Sequence, residues 1–513
     1  MNTYDHIIIG AGHNGLVAAA YLAKKGKKVL VLERRNIVGG QVVTESFGEG
    51  FKVDSLHAGG TLRPDIIKDL KLASFGLGSF GSAQGKLDPV RKPFISLVSR
   101  TGSPTYEDHL VLDPAPAKAA ESIKRFSEKD AANWLPFLDF MKKASQFIES
   151  ANSTIMPRLP KDFSLREGLG LAELGLDLRL MGGKDMMRII RGIPMTAEEF
   201  VDEWFESDIV KAAIASLGIH GFTLGVMGAG TGYTLMHNWT NRGGLSHVTV
   251  PGGVGKIAEA LASAVKSFGG EIRTNAEVRQ VTVKVMRATG VVLSNGEEIA
   301  ANNIISAADP KHTFLQLVGA MELPPEFVWN VQSIKMRGSV AKVHLLTDGN
   351  HGIPTGTVAL APSIKYLEKA YDAAKYHSVS EKPYLEVIAS GNVVSIHFQF
   401  AAYKLKDSSW NVESSKVEKI AIETLAEYFP NLKSSIKKSK TITPLDLEQT
   451  YGLTEGDLNH GQIMLDQFMF MRPIPGWSNH KTPIDNLYLC GSGVHGGGGV
   501  SGASGRNVVK VLK

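Results

Sequence analysis

The 513-residue chain has one cysteine, Cys490. A single thiol excludes an intrachain disulfide and a paired-cysteine redox centre. Excess charge is also scarce: 56 basic residues face 51 acidic ones, a net +5, too little at this length to make nucleic acid the main ligand. A regular apolar span is missing as well. Ala212 to Asn241 holds no Asp, Glu, Lys or Arg, but glycines at 218, 221, 225, 228, 230 and 232 interrupt it. A spanning helix needs about 20 mostly apolar residues in unbroken helical order. This stretch is therefore expected to line a core or a greasy cavity, or to touch a membrane surface. No His, Asp or Glu group has ligand-like spacing, so no metal is expected. The first apolar run starts at Tyr4, which leaves no room for a signal or transit peptide. The expected location is cytoplasmic, in contact with a membrane at most peripherally, or the mitochondrial matrix for a mature eukaryotic form.

What is present begins at once. Tyr4 to Ile9 reads as a buried parallel strand, and Gly10, Gly12 and Gly15 follow at G-x-G-x-x-G spacing. A helix comes next, with Ala19, Ala20 and Ala23 on one face, and Gly26 can end it. The run Lys28 to Leu32 then leads to Glu33. Each part has a mechanical task in dinucleotide binding. Gly10 permits the tight turn, Gly12 lets main-chain N–H groups approach a pyrophosphate, and Gly15 lets helix and strand pack closely. The helix N-terminus adds partial positive charge, and an acid at position 33 meets a ribose hydroxyl.

The predicted fold class is α/β: a Rossmann-like nucleotide domain built from discontinuous segments, plus an α+β substrate domain with an antiparallel sheet and a helical insertion. The nucleotide domain is read as residues 1–70, 246–315 and 475–513. Its second segment opens on PGGVGK, Pro251 to Lys256, and contains the hairpin signal Asn295-Gly296. Its third is a strand, a glycine-dense turn and a terminal helix. Between them lie a mainly helical segment, 71–245, and a segment of alternating strands, 316–474. Ser127 and Thr196 are expected helix caps.

IIGAGHNGLVAAAYLAKKGKKVLVLERRNIVGG, PGGVGKIAEAL and NLYLCGSGVHGGGGVSG resemble the FAD-dependent phytoene desaturase and amine oxidase superfamily. GFKVDSLHAGGTLRPDIIKDLKL and LDQFMFMRPIPGW are similar to its phytoene-dehydrogenase-related branch, which carries a pyridine nucleotide-disulfide oxidoreductase label. The resemblance touches both ends and the centre of the chain. It implies a noncovalent FAD, with Gly10, Gly12 and Gly15 at the pyrophosphate, and Glu33, with Arg34 beside it, at the adenosine ribose. Gly39, Gly40 and Gln41 would lie along the phosphates, Val278 at the adenine, and Gly491, Ser492 and Val500 along the ribityl chain and flavin ring. Two positions depart from the pattern. Gln41 stands where many relatives carry Arg or Lys, and Gly496 stands where an HPGGG loop has Pro. RGSVAKVHLL, Arg337 to Leu346, resembles the strand whose Lys reaches flavin N5 through a water. Lys342 is thus either beside the ring or a solvent-facing Lys on an alternating strand.

His495, inside the glycine loop, and Lys342 are the expected proton or water handlers. His57, Arg63, His220, Asp466 and Arg472 are further polar candidates near a substrate. The implied activity is hydride transfer from a hydrophobic, isoprenoid or lipid-like substrate to flavin N5, with reoxidation by quinone or oxygen. An amine or amino-acid oxidase on the same fold is one alternative. A non-catalytic regulatory protein related to the GDP dissociation inhibitors is another. Oligomeric state is not legible.

Overall fold

The computed structural model describes residues 3–48, 50–57, 59–60, 62–77, 90–98, 108–158 and 165–512. Tyr4–Ile9 is buried along nearly its whole length, which explains why its run is apolar rather than alternating. It pairs in parallel with Val29–Leu32 on one side and with Glu298–Ser306 on the other. Glu271–Arg273 extends the parallel ladder beyond Val29–Leu32, and Leu487–Leu489 joins the end of Glu298–Ser306. An antiparallel meander, Val278–Lys284 and Arg287–Leu293, runs on from the start of that strand. One seven-stranded sheet thus gathers strands from the beginning, middle and end of the chain.

The helices His13–Lys24, Gly255–Ser267 and Ala503–Val511 pack together over this sheet. The first was expected to bury one face, but ten of its twelve residues are buried. The sheet covers one side and the other two helices flank it, so small side chains are needed nearly all round.

A second seven-stranded sheet runs in the order Ile436–Ile442, Val340–Thr347, Val393–Gln399, Leu385–Ser390, Thr357–Ala359, Phe94–Ser96, Leu110–Leu112. It is antiparallel except where Thr357–Ala359 meets Phe94–Ser96. Its apolar face, including Val343, Ile396 and Phe398, packs on Val417, Ala421 and Leu425 of the helix Trp410–Ala426. The opposite face carries Lys342, His344, Glu386, His397 and Gln399, all buried. Alternation of this kind ordinarily marks a solvated face. Here the polar face is covered instead by the 55–57 loop, the 220–222 turn and Arg242.

Two expected caps start helices in the intervening segment. Ser127 accepts from the Asp130 N–H at 3.1 Å, and Thr196 forms a capping box with Glu199. The charge-free stretch becomes the helices Asp208–Ile219 and Thr231–Arg242, packed on each other across a glycine-rich turn. They close an aromatic core with Phe137, Trp204, Phe205 and Trp239. Among the described residues, no helix is long and apolar enough to cross a membrane.

Candidate active site

The turn after Tyr4–Ile9 opens a cleft. Gly10 has φ +92, and a Cβ on Gly15 would lie 2.3 Å from the Gly10 carbonyl oxygen, so both positions require glycine. Gly12 differs: a Cβ there would meet nothing within 4 Å. It caps the helix and faces open space, leaving its first-turn N–H groups free for an anion. Gly39 pairs with Gly12 as an isolated bridge and donates to the Ala11 carbonyl at 2.8 Å. Gly40, Gln41, Glu33, Arg34, Val278, Gly491 and Ser492 line the same cleft. The first and last glycine clusters are thus neighbours, and Asn14 Nδ2 donates to Ser492 Oγ at 3.4 Å. Val500 lies against Gly60 instead, outside the cleft lining.

Glu33 is buried, and its two oxygens accept from the Ala11 and Arg35 N–H groups at 2.8 and 2.9 Å. The carboxylate thereby stitches the glycine turn to the strand end while still lining the cleft. Gln41 Nε2 donates to the Leu458 carbonyl, and Gln41 Oε1 faces His57 Nε2 at 3.2 Å. Four polar atoms of cleft-lining residues have no hydrogen-bond partner among the described residues: His13 Nε2, Asn14 Oδ1, Arg35 Nη1 and His460 Nδ1. Buried polar atoms are normally satisfied, so this group fits the place of a polar ligand.

Beyond His57 lies a second polar cluster. Glu386 accepts from both Arg242 terminal nitrogens at 2.9 and 3.1 Å, from Tyr384 Oη at 3.0 Å, and contacts His247 Nε2 at 2.6 Å. Burial opposes ionisation of this carboxyl, but Arg242, with His220 and His247, outweighs it and holds Glu386 well below the usual range. His220 stacks on His397, and His397 Nδ1 lies 3.0 Å from Lys342 Nζ. Lys342 is 7% exposed, so the solvent-facing alternative is set aside. Burial pulls its amine down to about 8, with Glu386 opposing and Arg242 assisting. The ligand atoms of His220, His247 and Glu386 fall within 4.8 Å of one another, a grouping that sequence spacing does not reveal. The cation on that carboxylate is Arg242, which takes both oxygens.

The flavin-containing amine oxidoreductase model matches residues 15–511. A pyridine nucleotide-disulfide oxidoreductase domain-containing protein 2 from Rattus norvegicus is 31% identical over 99% of this chain and 93% of its own length. The chain belongs to the flavin-containing amine oxidoreductase family. A lycopene-forming phytoene desaturase from a Paracoccus species is 23% identical, covering 97% of this chain and 95% of its own. The solved structure of cyclohexylamine oxidase from Brevibacterium oxydans superposes over the full length of both chains with a TM-score of 0.54 at 16% identity, a likeness of fold. The protein is an FAD-dependent oxidoreductase. The residues present fit that cofactor: open space at Gly12, an acid at the end of the second strand, and unpartnered polar atoms along one cleft.

The other expected polar residues separate. His495 is buried, and its Nε2 hydrogen-bonds the Ala151 carbonyl at 2.8 Å. That bond ties the glycine loop to the helix Glu128–Ser153, which gives His495 an anchoring position. Arg472 donates to the carbonyls of Asn459, Gly461 and Ser492, fastening the 459–461 loop to the last glycine cluster. Asp466 is half exposed and pairs with Lys335 at the surface. Arg63 is held by Asp65 and lines a second cavity. Cys490 is fully buried in the nucleotide core, and burial pushes its thiol up, which makes it inert. Sequence reading missed Arg242, His247, Glu386, His397 and His460. A faint signal existed in polar residues at alternate positions, Lys342 and His344 on one strand, Ser395, His397 and Gln399 on the next.

Proposed function

We propose that this oxidoreductase dehydrogenates a hydrophobic substrate, isoprenoid or lipid-like, and passes the electrons to quinone or oxygen. The observation that carries the reading is the second cavity, beside Gly60 and Ser501. Leu62, Ile67, Leu77, Val248, Val250 and Ile257 wall it, and no aromatic residue is among its described lining. Its charged lining is Arg63, held by Asp65, with Arg91 and one carboxylate, Glu149, so the paired carboxylates that would grip an ammonium group are not found among its described lining. When bound, FAD supplies the two-electron acceptor: hydride leaves a substrate C–H bond for N5, a proton leaves the neighbouring carbon, and a C=C bond remains.

The protein's part is orientation and proton handling. The N-terminus of Ala503–Val511, behind the Gly496–Gly499 loop, favours the negative charge that develops on reduction. Lys342, a buried amine drawn toward neutrality, holds the water or proton on the flavin side. A peripheral membrane contact fits the same substrate class. Leu169, Leu176 and Leu180 are 58, 55 and 73% exposed and lie on one stripe of the helix Leu165–Leu180. Anaerobic mixing of the holoprotein with polyenes, lipids and amines tests the reading. Flavin bleaching by polyenes or lipids is expected, and bleaching by amines alone overturns it. Co-sedimentation with anionic vesicles should be lost in L176E/L180E.

A further inference from the structure

Lys342, His397 and Glu386 form a row straight across three neighbouring strands, because Lys342 pairs with His397 and His397 with Glu386 in the sheet register. The donor–acceptor sense of this row is set from Gln399, two residues along. The Gln399 carboxamide sits between two main-chain groups of fixed character. Its Oε1 accepts from the Gly221 N–H at 2.9 Å, and its Nε2 donates to the Phe222 carbonyl at 2.5 Å. A flipped amide would set donor against donor and acceptor against acceptor. Oε1 also faces His397 Nε2 at 2.8 Å, so that nitrogen has to carry the ring proton. Nδ1 keeps its lone pair, 3.0 Å from Lys342 Nζ.

We propose that Gln399 and His397 are positioning residues for Lys342: Gln399 selects the His397 tautomer, and His397 Nδ1 accepts one Lys342 N–H, fixing where the amine points. The proposal rests on the reading of Lys342 as the flavin-side proton handler. The groups facing Lys342 are His397 on the adjoining strand, Glu386 beyond it, and Arg242 from the helix Thr231–Arg242. His57 and His247 face it from their loops, and His344 from its own strand. Arg242 and Glu386 cancel, leaving Lys342 as the one group of this cluster whose charge is unbalanced. Burial works against the Lys342 charge, and an acceptor at His397 Nδ1 favours the protonated, oriented form.

The test uses the FAD-loaded protein, photoreduced and then reoxidised by oxygen, with the rate recorded from neutral to alkaline pH. The wild type should show a titration limb that K342M abolishes. H397L should move the midpoint down by about one pH unit, the loss of one hydrogen bond to a charged group. H397N, whose Oδ1 can stand where Nδ1 stood, should retain the wild-type midpoint, and Q399L should shift as H397L does. An unmoved midpoint in H397L, or equal shifts in H397L and H397N, overturns the proposal. A limb that survives in K342M removes the flavin-side reading of Lys342, and the proposal with it. Long-range ¹H–¹⁵N correlation on histidine-labelled wild-type protein reads the tautomer directly. A His397 signal with the proton on Nε2 supports the assignment, and one on Nδ1 overturns it whether or not the variants fold.

Discussion

The nucleotide cleft and the polar cluster behind it are built from opposite materials. The cleft is made of main chain: Gly10, Gly12 and Gly39 shape it, and helix N–H groups supply its donors. The cluster is made of side chains, delivered by Arg242 from a helix end, His247 from the loop after it, and Lys342, Glu386 and His397 from three strands. A main-chain site is local in sequence, since one turn sets its geometry. A side-chain site exists only once distant strands have paired. The first, where it opens to free space as at Gly12, should tolerate mutation in its stability and fail in ligand binding. The second should do the reverse.

Glu386→Gln gives the strongest break. It leaves the Arg242 guanidinium buried without its counter-charge, and denaturant unfolding should show a loss of about 3–5 kcal/mol. Lys342→Met should move stability the other way. The folded state holds this amine near 8 rather than 10.5, so the unfolded chain binds more protons between those values and stability rises with pH across that window. Removing the amine therefore raises stability by up to ~3 kcal/mol below pH 8. The gain should fade toward pH 10.5 in a series of melting curves. Glu33→Ala strands the buried Ala11 N–H and should cost about 1–3 kcal/mol, with flavin lost on gel filtration. Gly12→Ala is the mildest on the fold. Its φ of −66 suits alanine and its Cβ meets open space, so stability should change by under ~0.5 kcal/mol. FAD affinity should nevertheless fall roughly tenfold or more, about 1.4 kcal/mol, on titration of the apoprotein. A large stability loss in Gly12→Ala, or none in Glu386→Gln, would erase the contrast.

The same contrast decides what the sequence reveals. Strand, glycine turn, helix and Glu33 lie within thirty or so residues, and each reports a local constraint, so the nucleotide sheet was legible down to its separated segments. The resemblance added FAD and drew attention to Lys342. Residues such as Glu386 carried no such mark. An acid on an alternating strand is most simply read as solvated, and only the packing of Arg242 and the 55–57 loop over that face buries it. The anchor of His495 was hidden for a related reason: the carbonyl that holds its Nε2 belongs to Ala151, 344 residues away.

The sheet beneath the nucleotide cleft has an implication for how the protein is made. Leu487–Leu489 and the 491–492 wall come from the far end of the chain, and Ser492 meets Asn14 across 478 positions. Contacts of such separation form slowly, and none can form before both partners have left the ribosome. Almost the whole polypeptide must emerge before its seat can close. During synthesis the N-terminal half-site waits unfinished, and a premature stop a few dozen codons early would remove Leu487–Leu489 and the 491–492 wall of the cleft.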